Sequence, residues 1–123
     1  MLDLTDTDPY PPQGLALLYF TASWCAPCRA LRPVIEDAER ATQRWQKIIE
    51  RHGAKTRQAL AFRRVDIDHV RGLATRFDVR SVPTCLVIRD GRLIGTPLVG
   101  AAPKAKFHEW LSRLLEEPLR RYP

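Results

Sequence analysis

No stretch of the 123-residue chain is apolar for long enough to cross a membrane, which takes about 20 such residues. The opening "MLDLTDTDPYPPQG" also lacks the basic start and apolar centre of a secretory leader, so a soluble, cytoplasmic protein is expected. Cysteine is scarce. Three thiols make one pair with one left over, which excludes a disulfide scaffold. Repeats and low-complexity tracts are missing, which excludes a solenoid and a largely disordered chain. Aromatic residues make up 8% and do not interleave with the arginines, which are dispersed (Arg40, Arg44, Arg51, Arg57, Arg63, Arg64, Arg71, Arg76). The excess of 20 Lys and Arg over 14 Asp and Glu therefore reads as the solvated faces of a basic protein, with no nucleic acid and no membrane among its expected partners.

What is present fits one domain that can bury a core without staples. Residues 1–14, with Pro9, Pro11, Pro12 and Gly14, have no room for a long helix or a central strand and read as an arm. "LALLYF", Leu15 to Phe20, is a short continuous apolar run, the pattern of a strand buried on both faces. From Cys28 onward, Leu31, Val34, Ile35, Ala38, Ala41, Trp45, Ile48 and Ile49 recur at helical spacing. A long helix follows, kinked at Pro33 and stopping near His52-Gly53. A second strand is expected in "LAFRRVDID", and a short helix from Val70, Leu73, Ala74 and Phe77 on one face. Two apolar runs around Asp90-Gly91 signal a hairpin. Phe107, Trp110, Leu111, Leu114 and Leu115 mark a closing helix stopped by Pro118. The order strand, helix, strand, helix, hairpin, helix predicts an α/β fold, a mixed sheet with helices on both faces. The domain is expected over 15–118, with a tail at 119–123.

The chemistry concentrates in "TASWCAPCRALRP", Thr21 to Pro33. A Cys-x-x-Cys directly after a buried strand puts Cys25 at the start of the next helix. There, orphan N–H groups and partial positive charge stabilise a thiolate, lowering the thiol pKa from about 8.5 towards neutrality. Cys28 lies one turn on and faces inward as a resolving thiol. Pro27 costs no hydrogen bond, because its N–H would be an orphan in the first turn. The bland alternatives are half of a zinc site or two buried structural thiols. Cys85, His52, His69 and His108 are available as further ligands, but none shows the paired spacing of a second ligand arm.

These residues resemble the thioredoxin family. "FTASWCAPCR" is similar to its active-site segment, in which Trp-Cys-x-Pro-Cys precedes a basic residue and a proline stands five positions after the second cysteine, here Pro33. "SVPT", Ser81 to Thr84, resembles the loop before the family's hairpin. "VDID" and "LVG" are further echoes, and the likeness runs from about Leu15 to Glu116. It implies a thioredoxin-like three-layer fold with a shortened N-terminus. It also implies a cis Val82–Pro83 bond and a substrate surface of Trp24, Ala26, Pro27, Val82 and Pro83, in which the Val82 main chain pairs with an extended partner. The activity implied is protein-disulfide reduction, with Cys25 attacking and Cys28 resolving. Pro27 goes with the reducing members. No bound cofactor is required; protein disulfides are the substrates, an external donor such as a thioredoxin reductase-like protein restores the dithiol, and a monomer is expected. A binding module that has kept the fold without turnover is the alternative.

The chain departs from the family's pattern in two places that matter chemically. Where the family carries a buried Asp beneath the cysteines this sequence has Tyr19, and where it has a nearby Lys this one has Arg64. Tyr19 is expected to be a core aromatic with a satisfied hydroxyl, while Arg64 reads equally as a stand-in for that Lys and as an edge-facing solvated charge. Cys85 reads as a small buried hydrophobe, and the three histidines as isolated surface residues. The segment at about Arg44 to Arg63 is longer than usual, and a residue is added near Gly95-Thr96-Pro97.

Overall fold

In the computed structural model, which describes residues 1–5, 10–51 and 59–115, the chain runs through β1 (Leu2–Asp3), β2 (Leu15–Thr21), α1 (Ala26–Arg51), β3 (Ala61–Asp66), α2 (Arg71–Arg76), β4 (Thr84–Arg89), β5 (Arg92–Val99) and α3 (Lys104–Leu114). The five strands form one mixed sheet in the order β1-β3-β2-β4-β5. β1 and β2 run parallel to β3, while β4 is antiparallel to both β2 and β5. This is the α/β thioredoxin-like architecture expected.

Burial explains why β2 reads as a continuous apolar run. Successive side chains of a strand point to opposite faces. Leu15, Leu17 and Tyr19 join a cluster with Leu31, Ile35 and Ala38 of α1 and Phe107 and Leu111 of α3. Ala16, Leu18 and Phe20 join a second cluster with Val65, Leu73 and Ile88 on the side covered by α2. Helices therefore lie on both faces, and neither face of β2 meets water.

Leu31, Ile35 and Ala38 put one stripe of α1 against the sheet; Pro33 falls on its exposed side, and the helix continues past it. α1 runs to Arg51; the expected stop at His52-Gly53, the side chains of Trp45, Ile48 and Ile49, the stop at Pro118 and the tail all lie outside the described residues. The hairpin turns on Asp90 and Gly91, both at positive φ (50° and 81°), as a two-residue turn between Arg89 and Arg92 requires. The Asp90 N–H donates to the Gly14 carbonyl at 2.9 Å and the Gly14 N–H to Asp90 Oδ1 at 2.7 Å, so the turn also anchors the approach to β2. The register of β4 with β5 slips between Cys85–Leu98 and Val87–Ile94. Pro97 sits in that irregularity, on an edge strand, where a missing N–H is tolerated.

Three expectations are corrected. Leu2–Asp3 of the arm forms an edge strand paired with Arg63 and Arg64, and Leu4 behind it is buried. Arg64 is no free charge: its Nε and Nη2 donate to both carboxylate oxygens of Asp3, at 2.5 and 2.8 Å, tying β1 to β3. His108 is half-buried beside Phe107, with Nε2 enclosed and lacking a hydrogen-bond partner, because α3 lies flat on the sheet.

Candidate active site

Strand β2 ends at Thr21, and Ala22 to Cys25 form a tight turn in which the Cys25 N–H donates to the Ala22 carbonyl at 3.2 Å. α1 begins at the next residue and its first turn holds no acid. Cys25 thus stands at the helix start, as its place after the strand predicts, and Cys28 lies one turn on. The two are joined as a disulfide with Cα atoms 5.3 Å apart. The Cys28 N–H, one of the orphan donors of the first turn, points at Cys25 Sγ at 3.2 Å. A sulfur so placed meets a hydrogen-bond donor and the positive end of α1 together, and no first-turn carboxylate opposes them. Both cysteines are buried, Cys25 at 4% exposure and Cys28 at 1%.

Around the pair, Trp24, Ala26 and Pro27 are exposed. Trp24 is 65% exposed and is held there by its Nε1–H, which donates to Asp68 Oδ2 at 2.9 Å. The Val82–Pro83 peptide bond is cis. Val82, on the "SVPT" loop, packs against the core cluster to which Cys25 and Cys28 belong. Two hydrogen bonds hold that loop: the Thr84 hydroxyl donates to the Ser81 carbonyl at 2.8 Å and the Gly100 N–H to the Pro83 carbonyl at 2.8 Å.

Tyr19 is 1% exposed and its hydroxyl donates to the Cys28 carbonyl at 2.6 Å, the satisfied core aromatic expected. Burial pushes its phenol above the ordinary value, so it stays protonated and is no base. Cys85 is fully buried opposite Tyr19 on β4, and burial pushes its thiol far up, which makes it inert. Among the described residues no group of three or more His, Cys, Asp or Glu side chains is arranged to hold a metal, and no helix is long and apolar enough to cross a membrane.

Sequence reasoning missed Asp68 as the partner of Trp24, and it missed a cavity beside the turn into which Arg29, Arg32 and Arg64 converge. Spacing gave no signal for either, since the partners come from different elements.

Comparison with known proteins agrees with this geometry. The family model described as Thioredoxin matches residues 10–113. Thioredoxin from Bacillus subtilis is 30% identical over 103 residues, covering 84% of this chain and 85% of that one. Thioredoxin from Listeria monocytogenes is 32% identical over 101 residues, covering 82% and 84%. Among solved structures, a mutant thioredoxin from Halobacterium salinarum NRC-1 superposes with a TM-score of 0.58 at 25% identity, over 83% of this chain and 75% of the other.

Proposed function

The chain belongs to the thioredoxin family and is a thiol-disulfide oxidoreductase, and from that premise we propose that it works in the reducing direction on protein disulfides, with Cys25 as the attacking thiol and Cys28 as the resolving one. One observation carries the assignment of roles: the Cys28 N–H aimed at Cys25 Sγ at the acid-free start of α1. In the dithiol form the Cys25 thiolate attacks one substrate sulfur. The substrate S–S bond breaks, a mixed disulfide forms, and the leaving thiolate takes a proton. The Cys28 thiolate then attacks Cys25 Sγ, releasing the second substrate thiol and closing the Cys25–Cys28 bond. The substrate gains two electrons and two protons, and an external dithiol donor of the thioredoxin reductase type returns them.

Trp24, Ala26, Pro27, Val82 and Pro83 form the surface against which the substrate lies, in a cytoplasmic monomer. Exposure of the first three and the packing of Val82 against the cysteine cluster support that surface. A binding module without turnover is not favoured, since both thiols are present and already bonded to each other.

The test is reduction of a protein disulfide such as that of insulin by dithiol-charged wild type, Cys25→Ser and Cys28→Ser. Wild type turns over, Cys25→Ser shows no thiol-dependent rate, and Cys28→Ser accumulates a mixed disulfide visible by mass. A reduction potential near the thioredoxin value of about −270 mV supports the direction, whereas one near about −120 mV would make the protein an oxidant.

A further inference from the structure

Beside the active-site turn lies a cavity of about 300 Å³ that neither the thiols nor the Val82–Pro83 loop lines. It is lined by Arg29, Arg32 and Arg64 together with Thr21, Ala22, Ser23, Asp66 and the buried Tyr19. Building on the disulfide-reductase reading, we propose that this cavity is an oxyanion subsite that receives a carboxylate of the substrate protein, so that disulfides flanked by an acidic side chain are preferred.

Charge and donor geometry carry the inference. Three arginines face one carboxylate on the wall, Asp66, and both oxygens of Asp66 are already engaged: Oδ1 accepts from the Asp68 N–H at 2.9 Å and Oδ2 faces His69 Nδ1 at 3.3 Å. Each arginine is also anchored by a group other than Asp66. Arg64 is held by Asp3, Arg29 donates through Nη1 to the Ser23 carbonyl at 3.0 Å, and Arg32 Nε lies 3.4 Å from Glu36. A guanidinium has five N–H donors, so these anchors orient the three groups and leave donors over for a ligand. Planar forks of this kind match the two oxygens of a carboxylate. Because Asp3 and Glu36 lie close behind and offset part of the charge, binding relies on that fork geometry as well as on net charge. Buried Tyr19 in the lining lowers the local dielectric and strengthens each contact relative to open water.

Position selects the substrate as the source of the anion. Ser23 is two residues before Cys25 and Arg29 directly follows Cys28, so residues that flank the cysteine pair in the chain also line the cavity. An extended chain advances about 3.3 Å per residue. A Glu or Asp about three residues from the substrate cysteine, up to about 10 Å along an extended chain, is the side chain placed to enter the cavity.

The test uses two disulfide-linked peptides that differ by Glu or Gln three residues from the cysteine, assayed with wild type and Arg32→Gln. The kcat/KM ratio of acidic over neutral peptide is expected to be about five-fold in wild type, to shrink at high salt, and to fall to about one in Arg32→Gln. Binding of the same peptides with Ser in place of Cys reads the preference without turnover. Failure of the neutral peptide to be reduced by wild type would count against the thiol chemistry and leave this second readout to judge the subsite. A free oxyanion is the competing occupant: titration with inorganic phosphate that binds in wild type and not in Arg32→Gln, with no peptide preference, would overturn the assignment to substrate. So would equal handling of both peptides with no phosphate bound.

Discussion

Tyr19 stands where the family places a carboxylate, and its chemistry is different in kind. A phenol that donates to the Cys28 carbonyl and is kept protonated by burial fastens the first turn of α1 to the sheet, and it takes no proton from the resolving thiol. In the proposed mechanism, deprotonation of Cys28 is then left to water or another group. Tyr19→Phe keeps the ring and removes the donor. A buried hydrogen bond contributes about 1 kcal/mol net, so the variant should unfold about 1 kcal/mol more easily in urea while still reducing disulfides. Equal stability, or loss of the thiol chemistry with it, would show that the hydroxyl does something else.

At the scale of elements, α1 and α3 share one face of the sheet and are stitched together at their rims. Asp37 of α1 binds Arg40 and also Lys104 at 3.4 Å at the start of α3. The Arg40 side chain, and Lys104 after it, hold the Asp37 carboxyl below its ordinary range. His108, one turn further along α3, moves the other way: burial first, then nearby Lys104, push its imidazole below the ordinary value, opposed only by Asp37. The unfolded chain takes up that proton at about pH 6.5 whereas the folded one resists, so below that pH the unfolded state binds more protons and stability falls as pH falls. Urea midpoints should drop between pH 7 and 5, and His108→Gln should flatten that slope; an unchanged slope would clear His108. The helical period of α3 was legible in Phe107, Trp110, Leu111 and Leu114. The enclosure of His108 was not, because Asp37 beside it comes from α1, remote in sequence.

For the whole molecule, the N-terminal segment behaves as a strap. β1 extends the sheet, Leu4 is 6% exposed among Phe20, Val65 and Leu86, and the Met1 ammonium lies 3.1 Å from Glu39 of α1. Local pattern could not announce a two-residue strand, since Leu-Asp has no period to read; parallel pairing with β3 and burial of the next residue make it. Leu4→Ala should cost about 2–3 kcal/mol in equilibrium unfolding, the range for a buried leucine with partial collapse around it. A loss within about 0.5 kcal/mol would mean that the strap is decorative.

Local chemistry determined what periodicity and spacing can carry: a doubly buried β2, the stripe of α1, a two-residue hairpin turn, and two cysteines at a helix start. Each depends on residues within a few positions of one another, so the chain by itself suffices. Tertiary structure alone decided which distant groups meet. Asp3 with Arg64, Trp24 with Asp68, Tyr19 with the Cys28 carbonyl, and three arginines around one cavity all come together because parallel pairing and sheet-on-helix packing close long loops, and no local propensity encodes those closures.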